Sequence, residues 1–143
     1  MRIELKTHFD KSLLNEVNRL LPQLSGSAKP LTEAELKAIL DSDTTHLLTV
    51  EDTSYLCGML TLVVFRIPTG IRAWIEDVVV SEAHRGQGIG KMLVNAAIDL
   101  ARSKGAATID LTSRPSREAA NRLYQKLDFK PRETNVYRIN LQS

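Results

Sequence analysis

Cysteine and histidine are scarce in this chain, and their scarcity excludes several kinds of site. The one cysteine among 143 residues, Cys57, cannot form an intrachain disulfide, which agrees with a reducing compartment. Cys57 lies in an apolar run, so we expect a small buried side chain rather than a nucleophile. The three histidines, His8, His46 and His84, do not have the spacing of a metal site, and we therefore predict a protein without a metal.

Long apolar runs and blocks of like charge are also missing. No stretch approaches the length of a signal-peptide core or a membrane span, so we expect a cytoplasmic protein with no membrane partner. The formal net charge of +2 comes from 19 basic and 17 acidic residues spread along the chain, which does not favour a nucleic-acid partner. With 143 residues and 43% apolar content, the chain suits one domain covering residues 1–143.

What the sequence does contain is a glycine-rich loop between two regular segments. The loop is Arg85-Gly86-Gln87-Gly88-Ile89-Gly90, and it joins an apolar run, residues 74–80, to a segment with helical periodicity. A strand, alternate glycines and a helix expose backbone N–H groups at the positive end of a helix dipole, which suits a phosphate or diphosphate. The dinucleotide fingerprint does not fit, because its third glycine falls on Lys91, and a Walker loop would need glycine at Arg85.

Periodicity and turn residues predict the element order β-α-α-β-β-β-α-β-α-β-β. Residue bounds are predicted for six of its seven strands, namely 1–7, 45–51, 55–66, 71–80, 108–112 and 136–141. Asp10 is predicted to cap a helix that ends near residue 21, and residues 22–30 to form a loop. Thr32 and Glu35 form a capping-box pattern for a second helix, and Gly105 ends a third. Pro115 is expected in the first turn of the last helix, with residue 113 or 114 near its cap.

Two motifs in this order resemble the GCN5-related N-acetyltransferases. Arg85, Gly88 and Gly90 match the family's R/Q-x-x-G-x-G/A loop, and residues 119–129 resemble its A-x-x-L-Y-x-x-x-G-F ending. The resemblance covers most of the chain. It implies the family's single-domain α/β (α+β) fold, with helices flanking a mixed, mostly antiparallel central sheet. It also implies an acetyl-coenzyme A-dependent N-acetyltransferase, with acetyl-coenzyme A as cosubstrate and a primary amine as acceptor.

The resemblance implies a cofactor site that begins in the strand before the loop. In the family that strand binds the thioester and pantetheine through its main chain, and the loop with the next helix holds the diphosphate. The cofactor-binding residues implied in this way are Val78, Val79, Val80, Arg85, Gly86, Gln87, Gly88, Ile89, Gly90, Lys91, Arg117 and Asn121. Arg117 stands where relatives often carry Asn, so the usual hydrogen bond to the cofactor is predicted to come from Arg117 or Asn121. Asp128 replaces the family's usual glycine, which predicts a less stable helix end.

The resemblance also implies that Tyr124 is catalytic. The family's tyrosine at this position lies near the cofactor sulfur, and acyl transfer to an amine requires a proton for the departing thiolate. We therefore predict that Tyr124 is the general acid. The alternative is that Tyr124 only packs with Leu123 and Leu127.

Two carboxylates interrupt the strand before the loop. Because successive strand residues face opposite sides, at most one of Glu76 and Asp77 shares the face of Trp74, Val78 and Val80. Several family members use a carboxylate on this strand to accept the amine proton. We predict that Glu76 is the general base, directly or through water, and leave Asp77 or a water as alternatives. A salt bridge or simple exposure is the structural alternative for Glu76.

Two other functions stay open at the level of sequence. One is a non-catalytic acyl-coenzyme A-binding regulatory module, against which Tyr124 argues, and the other is a general nucleotide-phosphate binder. In such enzymes the acceptor usually enters between two loops, here residues 22–31 and 132–136. Their mixed composition does not distinguish a metabolite amine from a peptide or protein amine. A homodimer is left open.

Overall fold

The structure is a computed structural model that describes residues 1–142. Its elements in chain order are β1 (Arg2–Lys6), α1 (Lys11–Leu24), α2 (Glu33–Leu40), β2 (Thr45–Asp52), β3 (Tyr55–Ile67), β4 (Gly70–Val80), a 3-10 turn (Glu82–His84), α3 (Ile89–Ser103), β5 (Thr108–Asp110) and α4 (Glu118–Lys126). Backbone contacts divide the chain into two compact units, residues 1–112 and the residues that follow. No helix in the described part of the chain is both long enough and apolar enough to cross a membrane.

The strands of the first unit form one sheet in the order β1-β2-β3-β4-β5. Strands β1 to β4 are antiparallel neighbours, whereas β5 runs parallel to β4. Ile67 pairs with Gly70, so the turn between β3 and β4 consists of Pro68 and Thr69. The predicted mixed, mostly antiparallel sheet is confirmed.

Helices cover both faces of this sheet. On one face Met59 and Val79 belong to a core cluster whose helical members are the apolar residues of α1 and α2, namely Leu13, Leu14, Val17, Leu20, Leu36 and Leu40. Burial of each such side chain stabilises the fold by about 1.5–3 kcal/mol. Helix α3 covers the other face at Gly58, where a Cβ would lie 2.9 Å from Ile89 Cγ2 and 3.2 Å from Leu93 Cδ1. Only glycine allows α3 to approach the sheet this closely.

The predicted helix ends are confirmed at three places. Leu13 N–H donates to Asp10 Oδ1 at 2.7 Å, so Asp10 caps α1. At α2, Glu35 N–H donates to Thr32 Oγ1 at 3.1 Å and Thr32 N–H donates to Glu35 Oε1 at 2.9 Å, which completes the capping box. Gly105 adopts φ +81 just after α3, the left-handed conformation that ends a helix.

The predicted loop at residues 22–30 begins too early. Helix α1 continues through Pro22 to Leu24, and Ser25 N–H donates to Leu21 O at 3.0 Å. A proline removes one backbone donor, here the one that would reach Asn18 O, and its ring crowds that carbonyl, so continuing the helix past Pro22 has a cost that other contacts must offset. The extra turn forms because Leu21 and Leu24 are partly buried against the core cluster.

The start of the last helix was also predicted too early. Helix α4 begins at Glu118, and its N-cap, Arg117, has the non-helical angles φ −85 and ψ 68. Asn121 Nδ2 donates to Arg114 O at 2.9 Å and to Arg117 O at 2.8 Å. These bonds stabilise a turn that contains Pro115 ahead of the helix.

The predicted strand at residues 136–141 is wrong. Residues 129–142 have no regular secondary structure; Phe129 N–H donates back to Tyr124 O at 3.0 Å, and Thr134 N–H donates to Arg132 O at 3.1 Å. Tyr137 is 87% exposed and Leu141 is 89% exposed. Alternating apolar residues give a segment two faces, but a strand forms only when a neighbouring strand accepts its backbone hydrogen bonds.

Candidate active site

The glycine loop connects β4 to α3 within the first unit. Gly86 and Gly88 both have φ +80, and Gly88 is the N-cap of α3. The left-handed backbone explains why glycine stands at both positions. Apart from the glycine itself and its two chain neighbours, residues 1–142 place no heavy atom within 4 Å of a Cβ built on either glycine. The space above the main chain is therefore open to a ligand.

Backbone donors at the start of α3 have no partners in the helix. The first helical bond at this end runs from Met92 N–H to Gly88 O at 3.1 Å, so the amides of residues 89–91 have no acceptor within α3. The first turn carries Lys91 and no acidic residue. A lysine at this end of a helix is unfavourable next to the helix dipole, whereas a bound anion is stabilised by the lysine and the dipole alike. The donors fit a diphosphate.

Two exposed cations flank the loop. Arg85 and Lys91 are both exposed, and no ion pair within residues 1–142 involves either of them. Gln87 is exposed as well, while Ile89 is buried in the core beneath the loop. The polar side chains predicted for cofactor binding are thus accessible, and Ile89 can contribute through its main chain only.

A β-bulge lies in β4 next to the predicted acetyl site. Thr61 pairs with Glu76 and Met59 pairs with Val79, so two residues of β4 stand opposite one residue of β3. Asp77, one of these two residues, has φ +51. A positive φ is uncommon for a residue other than glycine, and such outliers cluster at functional sites.

The bulge changes which residues of β4 share a face. The partners of Trp74, Glu76 and Val79 are three alternate residues of β3, and directly opposed residues lie on the same side of a sheet. Glu76 therefore shares the face of Trp74, as predicted for one carboxylate. The expectation that Val80 shares the face of Trp74 is wrong. Val80 pairs with Gly58, which faces the other side of the sheet, because the extra residue in the bulge shifts the alternation of side chains.

The two carboxylates beside the bulge differ in their surroundings. Both residues are exposed, and Glu76 accepts a hydrogen bond from the indole N–H of Trp74. The pKa of Asp77 is raised, first because neighbouring atoms desolvate its carboxylate and second because Glu76 is close. A raised pKa makes a carboxylate a stronger proton acceptor. No ion pair among the described residues involves Glu76, so the salt-bridge alternative is not observed.

Tyr124 lies on α4 in the second unit and is 7% exposed. The ring of Phe129 meets its ring edge-on, with the centroids 5.9 Å apart. Burial raises the pKa of Tyr124, and Arg117 acts in the opposite direction. Its hydroxyl makes no hydrogen bond to any residue in the part of the chain that the structure describes. The phenol is thus protonated at neutral pH and has an unused donor.

Two other predicted residues of α4 have local roles in the second unit. The amide nitrogen of Asn121 is used at the start of α4, as described above, which leaves its Oδ1 as the available group. Arg117 is exposed at the N-cap. Asp128 adopts φ +71 after the helix, so it takes the left-handed conformation of the glycine it replaces.

The motifs and the fold lead to one family. A sequence model of the acetyltransferase (GNAT) family matches residues 12–129. The chain belongs to this family. A glucosamine 6-phosphate N-acetyltransferase of Trypanosoma brucei brucei is 32% identical to it over 142 residues, which cover 94% of this chain and 93% of that protein.

A second relative and a solved structure are also similar to this GNAT protein. The uncharacterized N-acetyltransferase YhdJ of Bacillus subtilis (strain 168) is 41% identical over 75 residues, so the match spans 52% of this chain and 51% of that relative. A crystal structure of an aminoglycoside acetyltransferase from an uncultured soil metagenomic sample, in complex with sisomicin, has a TM-score of 0.86 at 18% identity. That superposition covers 99% of this chain and 96% of the other, and it shows the fold. The GNAT protein is an acetyltransferase with the predicted fold class.

The sequence alone did not identify a polar cluster beside the loop of this acetyltransferase. Tyr55, Ser81 and Arg19 meet there, although they are distant in sequence and no motif connects them. His84 is partly buried, and its Nδ1 lacks a partner within residues 1–142. Cys57 is 0% exposed and burial raises the pKa of its thiol, which confirms it as a buried core residue.

Proposed function

We propose that this acetyltransferase moves an acetyl group from acetyl-coenzyme A to a primary amine, which attacks directly in a ternary complex. The observation that carries the proposal is the loop at the start of α3. Gly86 and Gly88 leave open space above a left-handed main chain, and three helix amides beside it have no intrahelical acceptor. A diphosphate bound there accounts for both features. Membership of the GNAT family supports the same acetyl donor.

The cofactor is assigned to two stretches of the first unit and to α4. The main chain of Val78–Val80 binds the pantetheine and the thioester, and the loop with Lys91 binds the diphosphate. Arg117 and the Oδ1 of Asn121 supply further polar contacts. When bound, acetyl-coenzyme A supplies an acetyl group activated as a thioester.

The base in this proposal is Glu76, which accepts the amine proton directly or through water. An alkyl ammonium has a pKa of about 10.4, so it must lose a proton before its nitrogen can attack. Glu76 lies beside the bulge on β4, on the exposed part of the strand before the loop. Asp77 is the alternative base, and its raised pKa supports that alternative.

Tyr124 is the proposed acid. As the amine nitrogen forms its bond to the acetyl carbon, the carbon–sulfur bond breaks and the thiolate takes the phenol proton of Tyr124. After attack the nitrogen still carries one excess proton, which passes to the tyrosinate and restores the phenol, while the base releases to water the proton that it took from the ammonium. The support for this role is that Tyr124 is buried, is protonated at neutral pH and has a hydroxyl without a partner among the described residues.

The first acceptor to test is a small amine that carries phosphate. One relative is named as a glucosamine 6-phosphate N-acetyltransferase and aligns along 94% of this chain. We propose that residues 22–31 and 132–136 select the acceptor and that residues 1–143 function as one domain.

Thiol release from acetyl-coenzyme A tests the proposal. The panel of acceptors contains glucosamine 6-phosphate, glucosamine, an aminoglycoside, a lysine-containing peptide and a peptide with a free N-terminus. We expect calorimetric binding of acetyl-coenzyme A and thiol release with at least one amine. Binding without turnover on any amine would instead support a non-catalytic acyl-coenzyme A-binding module. The absence of binding would contradict the donor assignment.

A further inference from the structure

We propose that Tyr55 is a positioning residue for the glycine loop and acts through Ser81. The inference rests on the proposed function, because it assumes that the loop binds the diphosphate of acetyl-coenzyme A. Tyr55 is the first residue of β3, and Ser81 is the residue that follows β4. Their hydroxyl oxygens are 3.1 Å apart and share a hydrogen bond. Ser81 is 1% exposed, so no solvent replaces this partner if it is lost.

Tyr55 also contacts the far end of the turn that leads into the loop. Its ring centroid lies 5.0 Å from that of His84, with an interplanar angle of 38°. Ser81 and His84 bracket the 3-10 turn, and His84 N–H donates to Ser81 O at 2.8 Å. One residue, Arg85, separates His84 from Gly86. Tyr55 therefore holds both ends of the turn from which the loop departs.

Tyr55 is itself held by a charged pair on α1. Arg19 donates to the Tyr55 hydroxyl at 2.9 Å, and its guanidinium lies 4.0 Å from the ring centroid. Arg19 pairs with Glu16 at 3.0 Å. The same pair brackets Leu56, whose O accepts from Arg19 at 2.7 Å and whose N–H donates to Glu16 at 2.8 Å. Because Arg19 donates to the Tyr55 oxygen, the phenol proton is available for Ser81.

A second contact from α1 reaches the same turn. Glu82 N–H donates to the side-chain oxygen of Gln23 at 2.9 Å. Helix α1 thus fixes the turn at Glu82 directly and at Ser81 through Tyr55. The glycines that follow have wide conformational freedom, so a fixed departure point is what limits the loop to a binding-competent arrangement. The apparent dissociation constant of a ligand rises in proportion as the competent fraction falls.

The test removes the hydroxyl and keeps the ring. In Tyr55→Phe the contact with His84 is retained and the bond to Ser81 is lost. We expect the calorimetric Kd for acetyl-coenzyme A to rise about 5- to 10-fold, the effect of one hydrogen bond, with kcat at saturation within about twofold. Ser81→Ala removes the same bond from the other side and should have the same effect. The double variant should bind no more weakly than either single variant, because the two changes delete one interaction.

Two comparisons separate positioning from a general loss of structure. Ser103→Ala removes a hydroxyl that donates to Leu100 O at 2.7 Å at the far end of α3, and we expect an unchanged Kd. S-acetylpantetheine carries the thioester but lacks the diphosphate, so its kcat/KM should be equal in wild type and Tyr55→Phe. An equal loss with both donors, or fully additive effects of the two substitutions, would overturn the proposal.

The outcome for the wild-type protein keeps the two proposals distinct. If wild type binds acetyl-coenzyme A and both variants bind it equally well, the positioning role is wrong and the proposed function stands. If wild type does not bind acetyl-coenzyme A, the proposed donor is wrong. Ser81→Ala tests the hydrogen bond even if Tyr55→Phe fails to fold.

Discussion

The region between β4 and α3, which contains the 3-10 turn and the glycine loop, and the segment after α4 both carry sequence patterns that predict a defined structure. Only the region between β4 and α3 adopts it. Gly86, Gly88 and the helix that follows take the predicted conformation. Residues 136–141 alternate as a strand would and form none. A glycine at positive φ and a helix cap are decided within a few residues, whereas a strand needs hydrogen bonds from a partner elsewhere in the chain.

The two regions also differ in how their side chains are held. Ser81, at the start of the turn, is 1% exposed and bonded to Tyr55. Tyr137, in the segment after α4, is 87% exposed, and the polar contact recorded for its hydroxyl comes from Asn135 at 3.3 Å. Function that depends on exact geometry is therefore expected from the turn and from buried residues such as Tyr124.

The largest effect is expected from Tyr124→Phe, with Tyr137→Phe as the matched control. Loss of the buried phenol should lower kcat about 10²- to 10⁴-fold, the usual contribution of a positioned acid. Loss of the exposed phenol should change kcat by less than about twofold, because few contacts are removed. Steady-state rates of thiol release measure both. Equal effects of the two substitutions would mean that Tyr124 only packs.

The carboxylates beside the bulge offer the next comparison. We expect Glu76→Gln to lower kcat/KM about 10²-fold and Asp77→Asn to lower it less than about tenfold. A base must be deprotonated, so activity falls as the pH falls through the pKa of the base. Two results together would identify Asp77, whose pKa is raised, as the base. Asp77→Asn would cause the larger loss, and wild-type activity would fall on acidification with a midpoint above pH 3.8, the ordinary pKa of Asp.

Substitutions of the glycines at the two ends of α3 test why the loop needs glycine. Glycine could be needed to leave space for the ligand, or only to allow the left-handed backbone conformation. Gly88 has φ +80 and Gly105 has φ +81, so alanine at either position carries about 1–2 kcal/mol of left-handed strain. We expect Gly88→Ala to weaken acetyl-coenzyme A binding at least about tenfold, because its Cβ occupies the space left for the diphosphate. Gly105→Ala should destabilise the protein similarly with an unchanged Kd. Similar Kd values for both variants would contradict the loop assignment.

A smaller effect on stability is expected at Asp77. The folded pKa of this group is raised above the ordinary value of 3.8, so the native state binds the proton more tightly and loses stability as the pH rises through this region. Asp77→Asn removes the charge and tolerates a positive φ. Urea unfolding should therefore show a gain in stability at pH 7 that disappears below pH 3.8. A gain that is independent of pH would not come from this ionisation.

The smallest effect is expected from removing residues 136–143. The apolar side chains there that are described are mostly exposed, namely Val136 (72%), Tyr137 (87%), Ile139 (80%) and Leu141 (89%). The free energy of unfolding should change by less than about 0.5 kcal/mol. A paired strand would bury such side chains and contribute about 1.5–3 kcal/mol for each. A loss of that size in urea unfolding would show that the predicted strand forms.

The sequence predicted most elements of the first unit because their signals are local. Asp10, Thr32 and Glu35 mark helix starts through bonds that span three residues, and apolar periodicity predicted the helix that follows the glycine loop. The errors occur where distant contacts decide. Burial of Leu24 extends α1 past Pro22, and the side chain of Asn121 stabilises a turn where a helix was predicted.

The candidate site was likewise predictable from the sequence only in part. The glycine loop and Tyr124 were identified from motifs of a few residues. The bulge at Asp77 was not identified, because it depends on how β3 pairs with β4. The sequence of one strand does not specify the register in which a neighbouring strand pairs with it. The contact between Tyr55 and Ser81 joins residues 26 positions apart and has no sequence signature.

By itself, the sequence of this GNAT protein determined the order of its elements through β5, the glycines that the loop requires and the family to which the chain belongs. These depend on backbone preferences and periodicities that act over a few residues. Only the tertiary structure decided the face of Glu76, the conformation of Asp77 and the residues that hold the turn before the loop. Those features arise from strand register and from side chains that meet after folding, and no short stretch of sequence specifies them.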